Sequence, residues 1–388
     1  SVKSIAIGDQ AGKENQQTDA IAIGTCAGEG SGGISTAQKA GAIAIGLFAG
    51  NSAQDISSVA IGSEAGKDAQ NTNAIAIGTN AGETDQSGGS IAIGYNAASV
   101  TQDPSSVAIG YQAGEQSQGP NAITIGSYAG QTQQQGEAIA IGVKAGQTRQ
   151  ETDTVAIGRL AGNSRMKREA VAIGGQAGET NQAESAIAIG KEAGNQDQQT
   201  QAIAIGKEAG KDDQQSNAVA IGYVAGETDQ SANAIAIGAN AGKDNQQSNA
   251  VAIGYFAGAI DQSNNTIAIG EEAGLRVQGR GSIAIGTKAG SRTQDISSVA
   301  IGHEAGETDQ GSNAIAIGTY AGHDTQRDNT IIINATGIEL NNTNELCQVA
   351  PIRQLDNPNV LLYNNTTGVK EITWTPVAGW GGNTQSDN

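Results

Sequence analysis

Between Ile5 and Ile333 apolar and polar residues return on a fixed beat. The phrase Ile-Ala-Ile-Gly starts at Ile5 and Ile21, then at Ile43 and every sixteen residues to Ile315, with a degenerate last copy at Ile331. That makes twenty full repeats and a coda. Counting from the first Ile, position 1 is Ile or Val, position 3 Ile, position 4 Gly and position 7 Ala in all twenty. Position 8 is Gly except at Ala98, position 2 is Ala except at Thr124, and position 12 is Gln except at Met166. Positions 9 to 11 and 13 to 15 vary among small polar and charged residues. A strict short period predicts a solenoid. Sixteen residues are too few for a helix pair, and Ile-Ala-Ile alternates with period two, so the unit is a β coil.

In such a strand the side chains at positions 1 and 3 share one face, and Ala at positions 16 and 2 share the other. Both faces are apolar, which predicts burial on both, as in parallel sheets. Glycine at positions 4 and 8 suits sharp corners. One narrow coil buries little, so the Ala face needs a cover, and the same face of another copy supplies it. The expectation is a homo-oligomer wound about a common axis, with small Ala side chains allowing close approach.

The Gln column would place amides about 4.8 Å apart, where each can donate to the next. The alternative is a surface row of tolerant polar residues; the ladder is favoured because neighbouring positions vary and position 12 does not.

Composition narrows the functions. Aromatic residues make up 3% of the 388, with one Met and 56 Gly, so no conventional globular core can be assembled. The formal charge of −18 argues against nucleic acid, which needs clustered Lys and Arg. No window of about twenty apolar residues is present, so no membrane-inserted helix is expected. Cys26 and Cys347 make no metal-ligand spacing.

The search for chemistry predicts no catalytic, cofactor-binding or metal residue, and hence a non-enzymatic protein. GEGSGG at 28–33 matches G-x-G-x-x-G without a following helix; it lies in a six-residue insertion, at about 29–37, read as a loop. The acidic runs KDD at 211–213 and ETD at 227–229 lack the phrase of calcium-binding β-rolls and read as solvated corners. His303 and His323 fall at different repeat positions and read as separate surface side chains. RMKRE at 165–169 is either a local anion or partner patch or a solvated corner, the latter favoured.

After Ile333 the period stops. Residues 334–388 read as a separate capping or trimerisation element, with short strands in the run from Val349 to Trp374 joined by turns at 356–359 and 364–368. Its apolar residues would cap the end of the roll. Sequons stand at Asn264, Asn334, Asn341, Asn364 and Asn365.

Two resemblances follow from the wording. SSVAIG at 57–62 and 297–302, and SNAVAIG at 248–254, resemble the head repeats of trimeric autotransporter adhesins, a likeness that covers residues 1–333. It implies a homotrimeric left-handed parallel β-roll. The segment running from Pro351-Ile352-Arg353 to NVLLYNNTTGVKEITW is similar to one in fibre-like and capsid-associated proteins of large DNA viruses and phages, where a self-cleaving trimerisation chaperone often follows. It implies a precursor cut at Asn388. Together they predict an all-β, trimeric parallel β-solenoid of 16-residue coils with a small C-terminal β cap. The expected role is a structural fibre or spike on a virion or similar particle, extracellular or on the virion surface. Its expected partners are two further copies, other capsid or fibre proteins, or a host-surface receptor. The alternative is the passenger head of a bacterial trimeric adhesin binding host surface or matrix.

Overall fold

The computed structural model describes residues 3–30, 38–341, 347–350, 359–364 and 371–376. Most of the Gly-rich insertion and of both C-terminal turn signals lie outside the described residues. Two compact units make up the chain, Ser1–Gln348 and Val349–Asn388. Residues 334–348 thus stay with the repeats.

The first unit is a parallel β-solenoid. Each coil lays down its Ile-Ala-Ile as a three-residue strand, and twenty-one such strands follow one another from Ile5–Ile7 to Ile331–Asn334. Pairing is in register, position on identical position: Ile43 on Val59, Ala44 on Ala60, Ile45 on Ile61. Backbone amides reach the carbonyl fifteen residues ahead, as Ile43 N does to Ser58 O (2.9 Å) and Gly50 N to Ala65 O (2.9 Å). A second ladder at positions 10 to 12 runs as strands over Ser52–Gln86, Gln116–Gln182 and Asp244–Gln326. Isolated parallel bridges through Gln102 and through Gln196, Asp212 and Thr228 link these runs.

The assignment of faces corrects one expectation. Ala at positions 2, 7 and 16 and Gln at position 12 fill the inside of the coil, as Ala204, Ala209, Ala218 and Gln214 do, each fully buried. Ile at positions 1 and 3 points outward; Ile205 keeps 36% of its surface exposed. The Ala face is therefore covered within one chain, not by a second copy. A loop that closes in sixteen residues leaves room inside for methyl groups and one flat amide layer. Branched side chains alternate to the other face.

In most coils five positions have positive φ, yet only positions 4 and 8 are near-invariant glycine. Positions 6, 11 and 15 adopt the left-handed conformation with other residues, as in Glu208 (φ 58°), Asp213 (φ 57°) and Asn217 (φ 59°). Asn and Asp tolerate this region best, which accounts for the frequent Asn at position 15. Where position 16 is Ser or Thr, the hydroxyl is satisfied inside: Ser58 Oγ donates to Asp55 O at 2.7 Å.

The Gln column is the ladder, not a surface row. Each Nε2 donates to the carbonyl of its own position 1 and to Oε1 of the next Gln, as in Gln54 to Ile43 O (2.7 Å) and to Gln70 Oε1 (3.1 Å). Two exceptions in the sequence interrupt it. Thr124 Oγ1 draws the amide of Gln118 to itself at 3.3 Å, leaving Gln134 Oε1 buried without a partner. Met166 accepts Gln150 Nε2 only weakly at sulfur, 3.6 Å, and donates nothing onward, so Gln182 Oε1 is likewise orphaned. Met166→Gln is expected to stabilise the protein by about 1 kcal/mol, the worth of one restored buried hydrogen bond. Slower amide exchange in the coils beginning at Val155 and Val171 would register it; faster exchange there would contradict the ladder.

The last coil closes on Asn334, whose Nδ2 donates to Thr319 O (2.8 Å) and Ile338 O (2.7 Å). Ile332 occupies the interior slot that Ala fills elsewhere, and Leu340 pairs with Ala321. With its amide buried in this cap, Asn334 is engaged as structure despite its sequon. In the second unit, Asn359–Asn364 pairs antiparallel with Glu371–Pro376, from Asn359 on Pro376 to Asn364 on Glu371. The expected C-terminal strands are present.

Candidate interaction surface

Every Ile-Ala-Ile strand turns two branched side chains outward, so register pairing stacks them into two continuous columns from Ile21 to Ile333. Position 3 is the more open, with Ile77, Ile189 and Ile253 among those still more than a third exposed. Position 1 is half-buried from Ile21 to Ile315. This is a sheet face that no other part of the repeat unit covers among the described residues.

Sequence reasoning missed a second feature beside it. All eight aromatic residues of the repeats sit at the two positions that follow the corner glycine. Tyr95, Tyr111, Tyr223 and Tyr255 are at position 5, and Phe48, Tyr128, Phe256 and Tyr320 at position 6. Stacking of coils brings them together. Tyr95 and Tyr111 lie face to face at 5.3 Å, and Tyr111 meets Tyr128 edge-on at 5.3 Å. A hydrogen bond to the Tyr128 hydroxyl pushes the Tyr111 phenol above its ordinary range. Lys207 Nζ lies 5.2 Å from the ring of Tyr223 on the next coil. The signal was available, because aromatic residues confined to two columns of sixteen are not random; the columns are otherwise so variable that they read as loop.

The remaining surface is polar and largely self-paired. Of RMKRE, Lys167 bonds Glu151 (2.9 Å) and Arg168 bonds Glu184 (2.6 Å), each one coil away. These two cations are spent within the surface, as a solvated corner requires. Arg149, Arg165 and Lys167 border an open groove of about 510 Å³. In the KDD run, burial first, then Asp213 and Asp229, push the Asp212 carboxyl above the ordinary carboxylate range. Both cysteines are free thiols, and burial together with Glu29 pushes that of Cys26 up. The two histidines are not separate: His303 and His323 both reach Glu304, at 3.5 and 3.3 Å.

Residues 88–113 match the YadA head domain repeat, in two copies. The matched stretch holds the Ile91 strand, the corner with Tyr95, and the strand and corner of the following coil. The likeness and the parallel β-solenoid together fit the head repeats of trimeric autotransporter adhesins. No curated protein and no solved structure matches the chain. The C-terminal resemblance to viral fibre proteins gains no support from these comparisons. No helix among the described residues is long and apolar enough to cross a membrane.

Proposed function

We propose that the chain is a non-enzymatic, surface-exposed adhesin-like head that works as a homotrimer, with the outward Ile and Val columns of three copies packed about a common axis. The uncovered apolar face carries this reading. Burying the exposed remainder of one such side chain contributes roughly 1 kcal/mol. Twenty coils with two such positions each give tens of kcal/mol, well above the roughly 4–15 kcal/mol that association costs. The polar corners at positions 9 to 15 then face outward, where a host surface or matrix component would meet them. The family likeness supports trimers and an extracellular place. A structural fibre on a virion fits the same geometry, and only the resemblance of residues 351–374 favours it.

Native mass spectrometry tests the assembly. A chain of 38.9 kDa is expected at three times that mass. Ile189, Ile205 and Ile221 changed together to Glu are expected to give a folded monomer with unchanged β-sheet circular dichroism. A wild-type monomer would overturn the proposal.

A further inference from the structure

We propose that Glu304, Glu307 and His323 form a binding site for a zinc-class divalent cation that clamps the last full coil of the solenoid to the one before it. The three come from a geometry that the repeat imposes. Glu304 and Glu307 are positions 6 and 9 of the coil starting at Val299, and His323 is position 9 of the coil starting at Ile315. Stacking sets position 9 of one coil over position 9 of the previous coil and beside its position 6. The donor atoms of all three groups lie within 4.8 Å of one another.

The distances suit one ion. His323 Nε2 stands 3.3 Å from Glu304 Oε2 and 2.9 Å from Glu307 Oε2. Tetrahedral zinc with bonds of about 2.0–2.2 Å separates its ligands by about 3.3–3.6 Å, so small adjustments bring these three groups onto one ion, with a water molecule as the fourth ligand. The other ring nitrogen has carboxylates in the orienting place. His323 Nδ1 is enclosed, makes no hydrogen bond, and lies 3.4 Å from Asp324 Oδ2 and 3.9 Å from Glu339 Oε1. A small turn of the ring would let Asp324 accept Nδ1–H, which would fix the tautomer that leaves Nε2 free for a metal. The second oxygen of Glu304 is turned away, toward Lys288 at 3.6 Å and His303 at 3.5 Å.

The rest of the solenoid shows what this corner holds. On the same corner, though with a different pair of neighbours, Lys67 puts its ammonium 2.9 Å from Glu64, at position 6 of its own coil, and 3.8 Å from Glu83, at position 9 of the next. Lys211 stands 3.8 Å from Glu192, and Lys243 stands 3.6 Å from Glu227. A lysine cation therefore sits among these carboxylates elsewhere. Beside Glu304 and Glu307 the position 9 residue is an imidazole, a poor permanent cation and a good zinc ligand. Its nitrogen donor excludes magnesium and calcium, which take oxygen shells. The ion would tie two coils where the ladder of repeats ends and has no further coil to hold it.

The test is equilibrium dialysis of the chelator-treated full chain against ZnCl₂, with MgCl₂ and CaCl₂ as controls, and a parallel Co²⁺ titration read by visible absorption. One zinc per chain is expected, with a raised melting temperature and the intense Co²⁺ bands of a four-coordinate site. H323Q and E307Q are expected to lose at least tenfold in affinity. E272Q, at a position 6 corner outside the cluster, is expected to lose none. Binding weaker than about 1 mM, equal affinity in H323Q, or equal loss in E272Q would overturn the site.

Discussion

Gly206→Ala is expected to destabilise the protein by about 4 kcal/mol or more, whereas Gly210→Ala, four residues on, is expected to cost about 1–2 kcal/mol. Both glycines have positive φ, so the difference lies in what a methyl group meets. At Gly206 φ is +129°, outside the left-handed basin that other residues enter in this chain. A Cβ there would clash with the backbone oxygen of Gly222 in the next coil. That oxygen belongs to the stacked backbone and cannot step aside without parting two coils. At Gly210 φ is +51°, the conformation that Glu208 and Asp213 adopt without glycine. The atoms nearest the added methyl would be those of the Gln214 carboxamide, at 2.7 Å, a side-chain end that can shift. The chain has already made this exchange at Ala98, with Gln102 still bonded to Ile91 O at 2.9 Å. Urea denaturation of the two variants measures the contrast, and equal losses would mean that the position 4 corner is softer than the close approach implies.

Gln214→Ala is expected to cost about 3 kcal/mol and Gln215→Ala almost nothing. The first residue is fully buried, the second exposed. Gln214 Nε2 donates to Ile203 O (2.9 Å), Ala218 O (3.3 Å) and Gln230 Oε1 (3.0 Å), and its Oε1 accepts from Gln198 at 3.0 Å. Alanine leaves two neighbouring amides half-satisfied and a cavity between them, each adding to the loss. Gln214→Met should lose less than Gln214→Ala, because Met166 shows that the slot accepts an unbranched apolar chain of that length. Melting temperatures that do not separate Gln214→Ala from Gln215→Ala would remove the ladder as a source of stability.

The period, the strands and the Gln column were legible because they are columns. Identical residues sixteen apart land on one another whatever the shape of the coil, so register and ladder followed from counting. Which apolar face turns inward was not legible in the same way. Ile205 and Ala204 are adjacent and both apolar, and only the circumference of the closed coil decides that the methyl goes in and the branched chain out. The trimer argument therefore began from the wrong face, and it now rests on the Ile and Val columns. The cluster at His323 was hidden for a related reason. Position 6 neighbours position 9 of the next coil only through the corner geometry, and in the string of letters Glu304 and His323 stand nineteen residues apart. The aromatic columns at positions 5 and 6 were countable, and their meaning needed the knowledge that this corner borders the outward apolar face.

The two interruptions of the amide ladder, at Thr124 and Met166, bear on how a single chain would carry tension. Its hydrogen bonds run from each coil to the next, so a pull along the stack loads the junctions in series, and every junction bears the whole force. Those between Gln118 and Gln134 and on either side of Met166 lack the full amide link that others have. They are expected to part before the fully linked interior junctions, and each freed coil would pay out about 50–60 Å of extended chain. A single chain with such points is expected to lengthen in steps under load, beginning at Thr124 and Met166.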